Sequence, residues 1–140
     1  ISKTAINKAR KYFKSDATIH HGSVTEMPFD NDKFESIYCY SLIHLLNKDE
    51  RSNLIKDCYS QLKLGGIMVF VALSTNDKRF GIGNEVEKNM FHSPQGLNLY
   101  FYDEKSVKDE FGKYNIVELI EINEPERNPK EKHWMIICEK

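Results

Sequence analysis

Apolar residues at helical spacing predict three helices in the 140-residue chain. The first runs from Ser2 to Phe13, with the Ser2 hydroxyl placed to cap its opening turn. The second begins after Asn47, and Glu50 follows at the position that completes a capping box. The third is predicted from Asp103 to Phe111.

Apolar runs and alternating patterns predict the strands. A short β-biased stretch covers Ala17 to His20, and Phe34 to Tyr40 is typical of a buried strand. The run from Ile67 to Leu73 is continuously apolar, which favours a central parallel strand. Near the end of the sequence, Tyr114 to Ile122 and Trp134 to Cys138 lie close enough to pair as an antiparallel hairpin.

The connections between these elements predict an α/β fold. Gly65 and Gly66 are expected to end the second helix, because glycine adopts the left-handed backbone that closes a helix. The order strand, helix, strand predicts a parallel pair joined by a helical crossover. Residues 74–102 show no sustained periodicity and are predicted to form a long loop that covers a substrate. Residues 1–140 are expected to form a single, partial domain.

Charge and cysteine content exclude several classes of partner. The chain has 20 lysine and arginine residues against 21 aspartate and glutamate residues, a balance that argues against nucleic acid. The longest nearly apolar run, Gly65 to Leu73, is too short to cross a membrane. Three widely spaced cysteines without a C-x-x-C pair are typical of a reduced, cytoplasmic protein, and the five histidines lack metal-ligand spacing.

Several short motifs are weak individually but specific in their order. They are Ser2-x-x-Ala5-Ile6-x-x-Ala9, Gly22-Ser23-Val24 with Met27-Pro28-Phe29, Phe34-Glu35-x-Ile37 leading to Leu42-x-His44, and Leu62-Lys63-x-Gly65-Gly66. In this order the chain resembles the later two-thirds of a class I S-adenosylmethionine-dependent methyltransferase. The resemblance covers essentially all 140 residues and implies a Rossmann-like, mainly parallel sheet with a C-terminal antiparallel hairpin.

The resemblance also implies S-adenosylmethionine as the cofactor, with its adenine ring at the turn after the third strand of the family. That turn falls on Ser23 and Val24, with Met27 packing nearby. Ser23 occupies a position where the family usually has aspartate, so an adenine contact would depend more on the backbone. An ordinary polar turn is the alternative interpretation of these residues.

In the family, the methionine part of the cofactor lies at the end of the fourth strand, which the resemblance places at Cys39 and Tyr40. This agrees with the rule that open α/β sheets bind ligands beyond the carboxyl ends of their strands. Cys39 is expected to pack rather than react, because the sequence places no base beside it. His44 either contacts the cofactor or substrate, or ends the strand by bonding the backbone.

Related methyltransferases use the region after the fifth strand to cover the reacting centre, which implies that residues 74–102 select the acceptor. The candidate substrate contacts are Asp77, Phe80, Phe91 and Tyr102. Aromatic residues in a loop equally well close the edge of a core, so both interpretations stay open. No catalytic base is identified, because proximity and in-line alignment supply much of the barrier reduction for an activated sulfonium.

The glycine-rich loop and the ribose-binding acidic residue of the family are not found in these 140 residues. We therefore expect a truncated fragment whose sheet is incomplete at the N-terminus and contains only the fourth, fifth, seventh and sixth strands. The first helix and the stretch at residues 17–20 are expected to be displaced or completed by another chain. The fragment is expected to be inactive alone. An unpaired edge on its fourth strand would invite self-association.

The leading hypothesis is methyl transfer to an unidentified small-molecule acceptor. The alternative is a non-catalytic Rossmann-like module that uses the sheet and the aromatic loop for protein contacts. A nucleotide-dependent oxidoreductase is disfavoured, because Val86 occupies the third glycine position of the fingerprint that Gly81-Ile82-Gly83 would begin. Fold alone does not separate these functions, since chemistry depends on the site.

Overall fold

The computed structural model describes residues 2–123 and 130–140, which form helices and strands of an α/β fold. The helices are α1 (Lys3–Phe13), α2 (Lys48–Gln61) and α3 (Glu104–Phe111). The strands are β1 (Phe34–Tyr40), β2 (Leu62–Leu73), β3 (Asn84–Glu87), β4 (Met90–His92), β5 (Asn98–Tyr100), β6 (Ile116–Asn123) and β7 (Lys132–Glu139). Short 3-10 turns cover Ile43–Leu45 and Gly112–Tyr114.

Four strands form the main sheet in the order β1-β2-β7-β6. Strands β1 and β2 are parallel, with α2 in the crossover between them, whereas β7 is antiparallel to both β2 and β6. This is the order expected for the fourth, fifth, seventh and sixth strands of the resembled family. The predicted α/β class with a C-terminal antiparallel hairpin is confirmed, and within this sheet the parallel pairing is that of β1 with β2.

The hydrophobic core lies on one face of the main sheet, beneath α2 and α3. Helix α2 begins at the predicted capping box, in which Asn47 N donates to Glu50 Oε2 (2.9 Å) and Glu50 N donates to Asn47 Oδ1 (3.0 Å). Helix α3 begins with a second capping box, formed by Asp103 and Ser106. The core contains Leu54, Ile55, Cys58, Val107 and Phe111 from the helices and Met68, Phe70 and Ile136 from the sheet.

The opposite face of the sheet is uncovered around β1. Tyr38 is 65% exposed, Tyr40 46% and Ile67 38%. Successive residues of a strand point to opposite faces, so Cys39 reaches the core between the two exposed tyrosines. Helix α1, capped by Ser2 as predicted, buries none of its own residues. No helix in the described part of the chain is long and apolar enough to span a membrane.

The β-biased stretch from Ala17 to His20 does not form a strand, since the first strand in the described residues is β1, and it lies outside the sheet as the incomplete sheet predicts. A β-biased stretch becomes a strand only when a neighbouring edge pairs with it. The segment is instead held near α1 by a hydrogen bond from Arg10 Nη2 to the carbonyl oxygen of Ile19 (3.3 Å). Local β-propensity was therefore an insufficient signal at this position.

The prediction that the glycine pair ends the second helix is also wrong. Helix α2 ends at Gln61, and β2 begins at once. Gly65 (φ 76°) and Gly66 lie inside β2, in the stretch where its register against β1 shifts. Gly65 N donates to the carbonyl oxygen of Lys140 (2.7 Å), and Lys140 N donates to that of Gly66 (2.9 Å). The glycines therefore join an irregular part of β2 to the residue that follows β7.

Residues 74–102 were predicted to be a structureless loop, but they contain a three-stranded antiparallel sheet, β3-β4-β5. Its strands are three or four residues long, too short to show a period in the sequence. A parallel bridge between Ser74 and Tyr102 closes the segment at its base. Leu73, Phe91 and Phe101 form a small separate core there. That this segment covers a substrate stays a prediction.

Replacing Gly66 with alanine tests the irregularity in β2. An added Cβ would lie 2.8 Å from the carbonyl oxygen of Lys63 and 3.0 Å from that of Glu35, so the backbone would have to move. We expect Gly66→Ala to lower the free energy of unfolding by about 2 kcal/mol, measured by urea denaturation.

Gly112→Ala provides the matched control. Gly112 has helical backbone angles (φ -57°, ψ -31°), and an added Cβ would meet nothing within 4 Å. This substitution should leave the stability unchanged or raise it by about 0.5 kcal/mol. Equal losses in the two variants would contradict the role assigned to Gly66.

Candidate functional site

A cavity of about 460 Å³ lies beyond the carboxyl end of β1, against the three-stranded sheet. Apolar side chains form much of its wall: Leu45, Ile82, Phe91, Leu97, Leu99 and Phe101. Its polar wall is formed by Ser41, His44, Arg79, Ser93 and Gln95. A concave, mainly apolar cavity with a few polar groups is typical of a small-molecule site.

The turn after β1 places His44 in this wall. Ser41 has a left-handed backbone (φ 51°), and its N–H donates to the carbonyl oxygen of Val71 in β2 (3.0 Å). The 3-10 turn that follows is anchored by Ile43, which has no exposed surface. A non-glycine residue with positive φ is uncommon and often marks a functional turn. The end of β1 and its anchored turn thus fix where His44 lies.

His44 is a buried histidine with an unsatisfied nitrogen. The residue is 6% exposed, and its Nδ1 has no hydrogen-bond partner among residues 2–123 and 130–140. Burial, reinforced by repulsion from His133 and Arg79 and opposed by Asp77, lowers the pKa of the imidazole to about 4. The ring is therefore neutral at neutral pH. Such a nitrogen is costly unless a ligand or water completes it.

Arg79, rather than Asp77, reaches the cavity. The Asp77 side chain has no exposed surface and accepts hydrogen bonds from Arg79 Nε (2.7 Å), Arg79 Nη2 (2.9 Å) and Lys132 N (2.8 Å). Burial raises the pKa of Asp77, but these hydrogen bonds outweigh burial and hold it below its usual range. Asp77 is one of the predicted substrate contacts, and its carboxylate already accepts hydrogen bonds from these protein donors.

Aromatic rings form one side of the cavity. Phe91 lines it, and Phe80 packs edge-on against Phe91 with 5.2 Å between ring centroids. Phe101, which sequence reasoning missed, lies 5.5 Å from Phe80 and also lines the cavity. Tyr102 lies elsewhere, fully buried in the main core, with its hydroxyl donating to Glu110 (2.8 Å). Of the predicted substrate contacts, Phe91 lines the cavity, Phe80 packs behind it without lining the cavity, and Tyr102 lies away from it.

Cys39 and Tyr40 end β1, next to the turn that begins at Ser41. Cys39 is 7% exposed, and burial raises the pKa of its thiol to about 11, so it is protonated at neutral pH. Tyr40 lies on the uncovered face and stacks with Tyr38, with 6.0 Å between ring centroids. A cofactor contact at this strand end would therefore use backbone groups.

Ser23, Val24 and Met27 lie in the turn before β1 and do not line the cavity. The Ser23 hydroxyl is 2.8 Å from Thr25 Oγ1 and accepts a hydrogen bond from Thr25 N (3.3 Å). Val24 and Met27 are half-buried and pack against the main core. Because Thr25 engages the Ser23 side chain, an adenine contact here would use mainly backbone groups, as the resemblance implies.

Comparisons with known proteins support the family likeness. Residues 1–66 match the family model described as "Methyltransferase domain". The resemblance to the methyltransferases is confirmed. No curated protein sequence matches the chain.

Solved methyltransferase structures share the whole fold of this chain. A SAM-dependent methyltransferase from Methanosarcina mazei has a TM-score of 0.80 at 20% identity, covering 100% of this chain and 79% of its own. A 1,6-didemethyltoxoflavin-N1-methyltransferase from Burkholderia thailandensis has a TM-score of 0.76 at 9% identity, and the match covers 100% of this chain and 58% of that enzyme. The N-methyltransferase NodS from Bradyrhizobium japonicum gives 0.70 at 14% identity, covering 99% and 63%. The chain thus spans about three-fifths of the length of the Burkholderia thailandensis enzyme and of NodS.

Three polar residues of the cavity, Arg79, Ser93 and Gln95, were not predicted from the sequence. Arg79 carried one weak signal, because it follows Asp77 by two residues and its N–H donates to the Asp77 carboxylate (2.9 Å) in a local turn. Ser93 and Gln95 flank a proline, where polar residues are ordinary. No group of three or more metal-ligating side chains occurs in the described ranges.

The buried neutral state of His44 predicts an acid-sensitive stability. In the unfolded chain the imidazole titrates near pH 6.5, whereas in the folded protein it resists protonation down to about pH 4. The unfolded chain binds the proton first, so this stability is present above pH 6.5 and is lost as the pH falls towards 4. Between pH 7 and about pH 4, the unmodified chain should lose about 3 kcal/mol more than His44→Phe, measured by urea denaturation.

His21→Gln serves as the control, because the His21 side chain is exposed. Its stability should follow that of the unmodified chain at every pH. Equal acid losses in His44→Phe and the unmodified chain would show that the imidazole is not held neutral in the fold.

Proposed function

We propose that the chain is the acceptor-binding part of an S-adenosylmethionine-dependent methyltransferase that acts on a small molecule. The observation that carries the proposal is the apolar cavity beyond the carboxyl end of β1. Open α/β sheets bind ligands at this edge. The family match over residues 1–66 ends within β2 and includes all of β1 and its following turn.

The cofactor and the acceptor would occupy neighbouring parts of this edge. Ser23, Val24 and Met27 would hold the adenine ring, while Cys39 and Tyr40 would hold the methionine part through their backbone. When bound, S-adenosylmethionine supplies an activated methyl group on its sulfonium. The chain's own contribution is to place the acceptor in the cavity in line with that methyl group, which accounts for much of the rate without a strong base.

Two solved relatives bear on the ligands. The Burkholderia thailandensis enzyme was crystallised with 1,6-didemethyltoxoflavin and S-adenosylhomocysteine, and NodS with S-adenosylhomocysteine. These ligands support a methyltransferase cofactor and a small-molecule acceptor for this fold. The glycine-rich loop and ribose-binding acid of the family are not among the 140 residues, so we expect weak cofactor binding and no turnover from these residues alone.

Titration with S-adenosylhomocysteine tests the cofactor assignment on the chain as it is. In proton–nitrogen correlation spectra at millimolar ligand, the backbone amides of Val24, Tyr40 and Ser41 should shift progressively. Weak binding is sufficient, because fast exchange reports dissociation constants in this range.

Amides of the exposed α3 residues Lys105 and Asp109 serve as an internal reference, since both lie away from the predicted contacts. Their shifts should stay constant throughout the titration. A complete absence of shifts at the β1 end, or shifts confined to α3, would contradict the proposed function.

A second candidate, a non-catalytic interaction module, is favoured by the uncovered face with Tyr38 and Tyr40. Strand β1 pairs only with β2 within the described residues, so its other edge has no neighbouring strand there. Self-association through that edge remains a prediction, as does a cytoplasmic location. Concentration-dependent amide shifts along β1 in ligand-free spectra would support self-association, and constant shifts would count against it.

A further inference from the structure

The walls of the cavity carry little uncompensated charge. Arg79 is the charged residue among those that line it within the described chain. Its guanidinium is paired with the buried Asp77 carboxylate and lies 3.8 Å from Glu131, which in turn pairs with Lys78 (2.9 Å). Two positive and two negative groups therefore balance one another around this wall. An ionic ligand would lose its hydration without gaining a free counter-charge.

His44 carries the buried polar atom of the wall that lacks a partner among residues 2–123 and 130–140. The residue lines the cavity and is more than nine-tenths buried, and its Nδ1 is not hydrogen-bonded by the described residues. Nδ1 itself is closed to solvent, so a ligand hydroxyl or N–H group satisfies this nitrogen only if the wall beside the ring moves on binding. Giving a hydrogen-bond partner to a buried group that otherwise lacks one raises the affinity for the ligand about tenfold or more.

The apolar part of the wall favours a ligand that contains a ring. Phe91 and Phe101 present ring faces and edges 6.0 Å apart between centroids, and Leu99 packs against the same cluster. Aromatic rings pack favourably against such walls in offset or edge-to-face geometry. A volume of about 460 Å³ accommodates a small ring system rather than a polymer.

We propose that this cavity binds an uncharged, ring-bearing acceptor whose hydroxyl or N–H group hydrogen-bonds His44, which acts as a positioning residue. That the ligand is a methyl acceptor rests on the proposed function. The chemical class of that acceptor is what the cavity adds to it. The ring supplies the buried apolar surface, and the polar group fixes the orientation of the ring. Charged amines and carboxylates are disfavoured by the balanced wall.

Four one-ring probes test the proposal on the 140-residue chain at neutral pH: phenol, toluene, benzylamine and benzoate. Phenol should bind with shifts at Phe91 and Leu99 and should shift the ring nitrogens of His44, whereas toluene should leave those nitrogens unchanged. Cationic benzylamine and anionic benzoate should bind about tenfold more weakly than phenol. The nitrogen shift is a direct readout that a merely structural role for His44 would not give.

Substitution of His44 separates the hydrogen bond from the apolar contacts. His44→Phe should weaken phenol binding about tenfold and change toluene binding less than about twofold. The matched control is His92→Phe, because His92 is exposed on β4, does not line the cavity and bonds Asn98. It should leave both affinities unchanged.

Several outcomes would overturn the proposal. The first is an equal loss of affinity for phenol and for toluene in His44→Phe. The second is that the His44 ring nitrogens do not shift when phenol binds. The third is that benzoate or benzylamine binds as tightly as phenol. The nitrogen shifts are measured in the unmodified chain, so the test holds even if a variant fails to fold. The titrations contain no cofactor, so their failure is distinguishable from a failure of the S-adenosylhomocysteine titration.

Discussion

The buried carboxylate of Asp77 is the constraint on which the candidate site depends. It accepts hydrogen bonds from the backbone and side chain of Arg79 and from the backbone N–H of Lys132, the first residue of β7. One side chain thus ties the segment after β2 to the C-terminal hairpin. A buried charge is tolerated only when it is paired and hydrogen-bonded, and here these donors meet that requirement.

This arrangement also sets the character of the cavity. Because Asp77 engages Arg79, the positive group in the wall is compensated before any ligand arrives. His44 then remains as a neutral polar group whose Nδ1 has no partner in the described part of the chain, held by the turn that Ser41 and Ile43 anchor. A ligand in this mainly apolar cavity would meet a neutral imidazole and a compensated guanidinium, which suits acceptor positioning better than ionic recognition.

Local signals predicted the parts of the fold that local interactions determine. The capping box of Asn47 and Glu50 and the alternating pattern of the hairpin need only neighbouring residues or a short connection, and both predictions are confirmed. The strand at residues 17–20 failed because pairing depends on a distant edge, and the glycine pair failed because it contacts Lys140. The cavity joins His44 to residues 79–101, a combination that no local pattern contains.

We propose that the carboxyl end of β1 carries the transfer centre, where cofactor and acceptor meet. A crystal structure of the chain with S-adenosylhomocysteine at saturating concentration would locate both parts of that centre. The ligand sulfur should lie beside Ser41, facing the cavity that His44 lines, and the adenine ring should lie at the turn of Val24. A sulfur bound on another surface, out of line with the cavity, would show that the transfer centre is not at the end of β1.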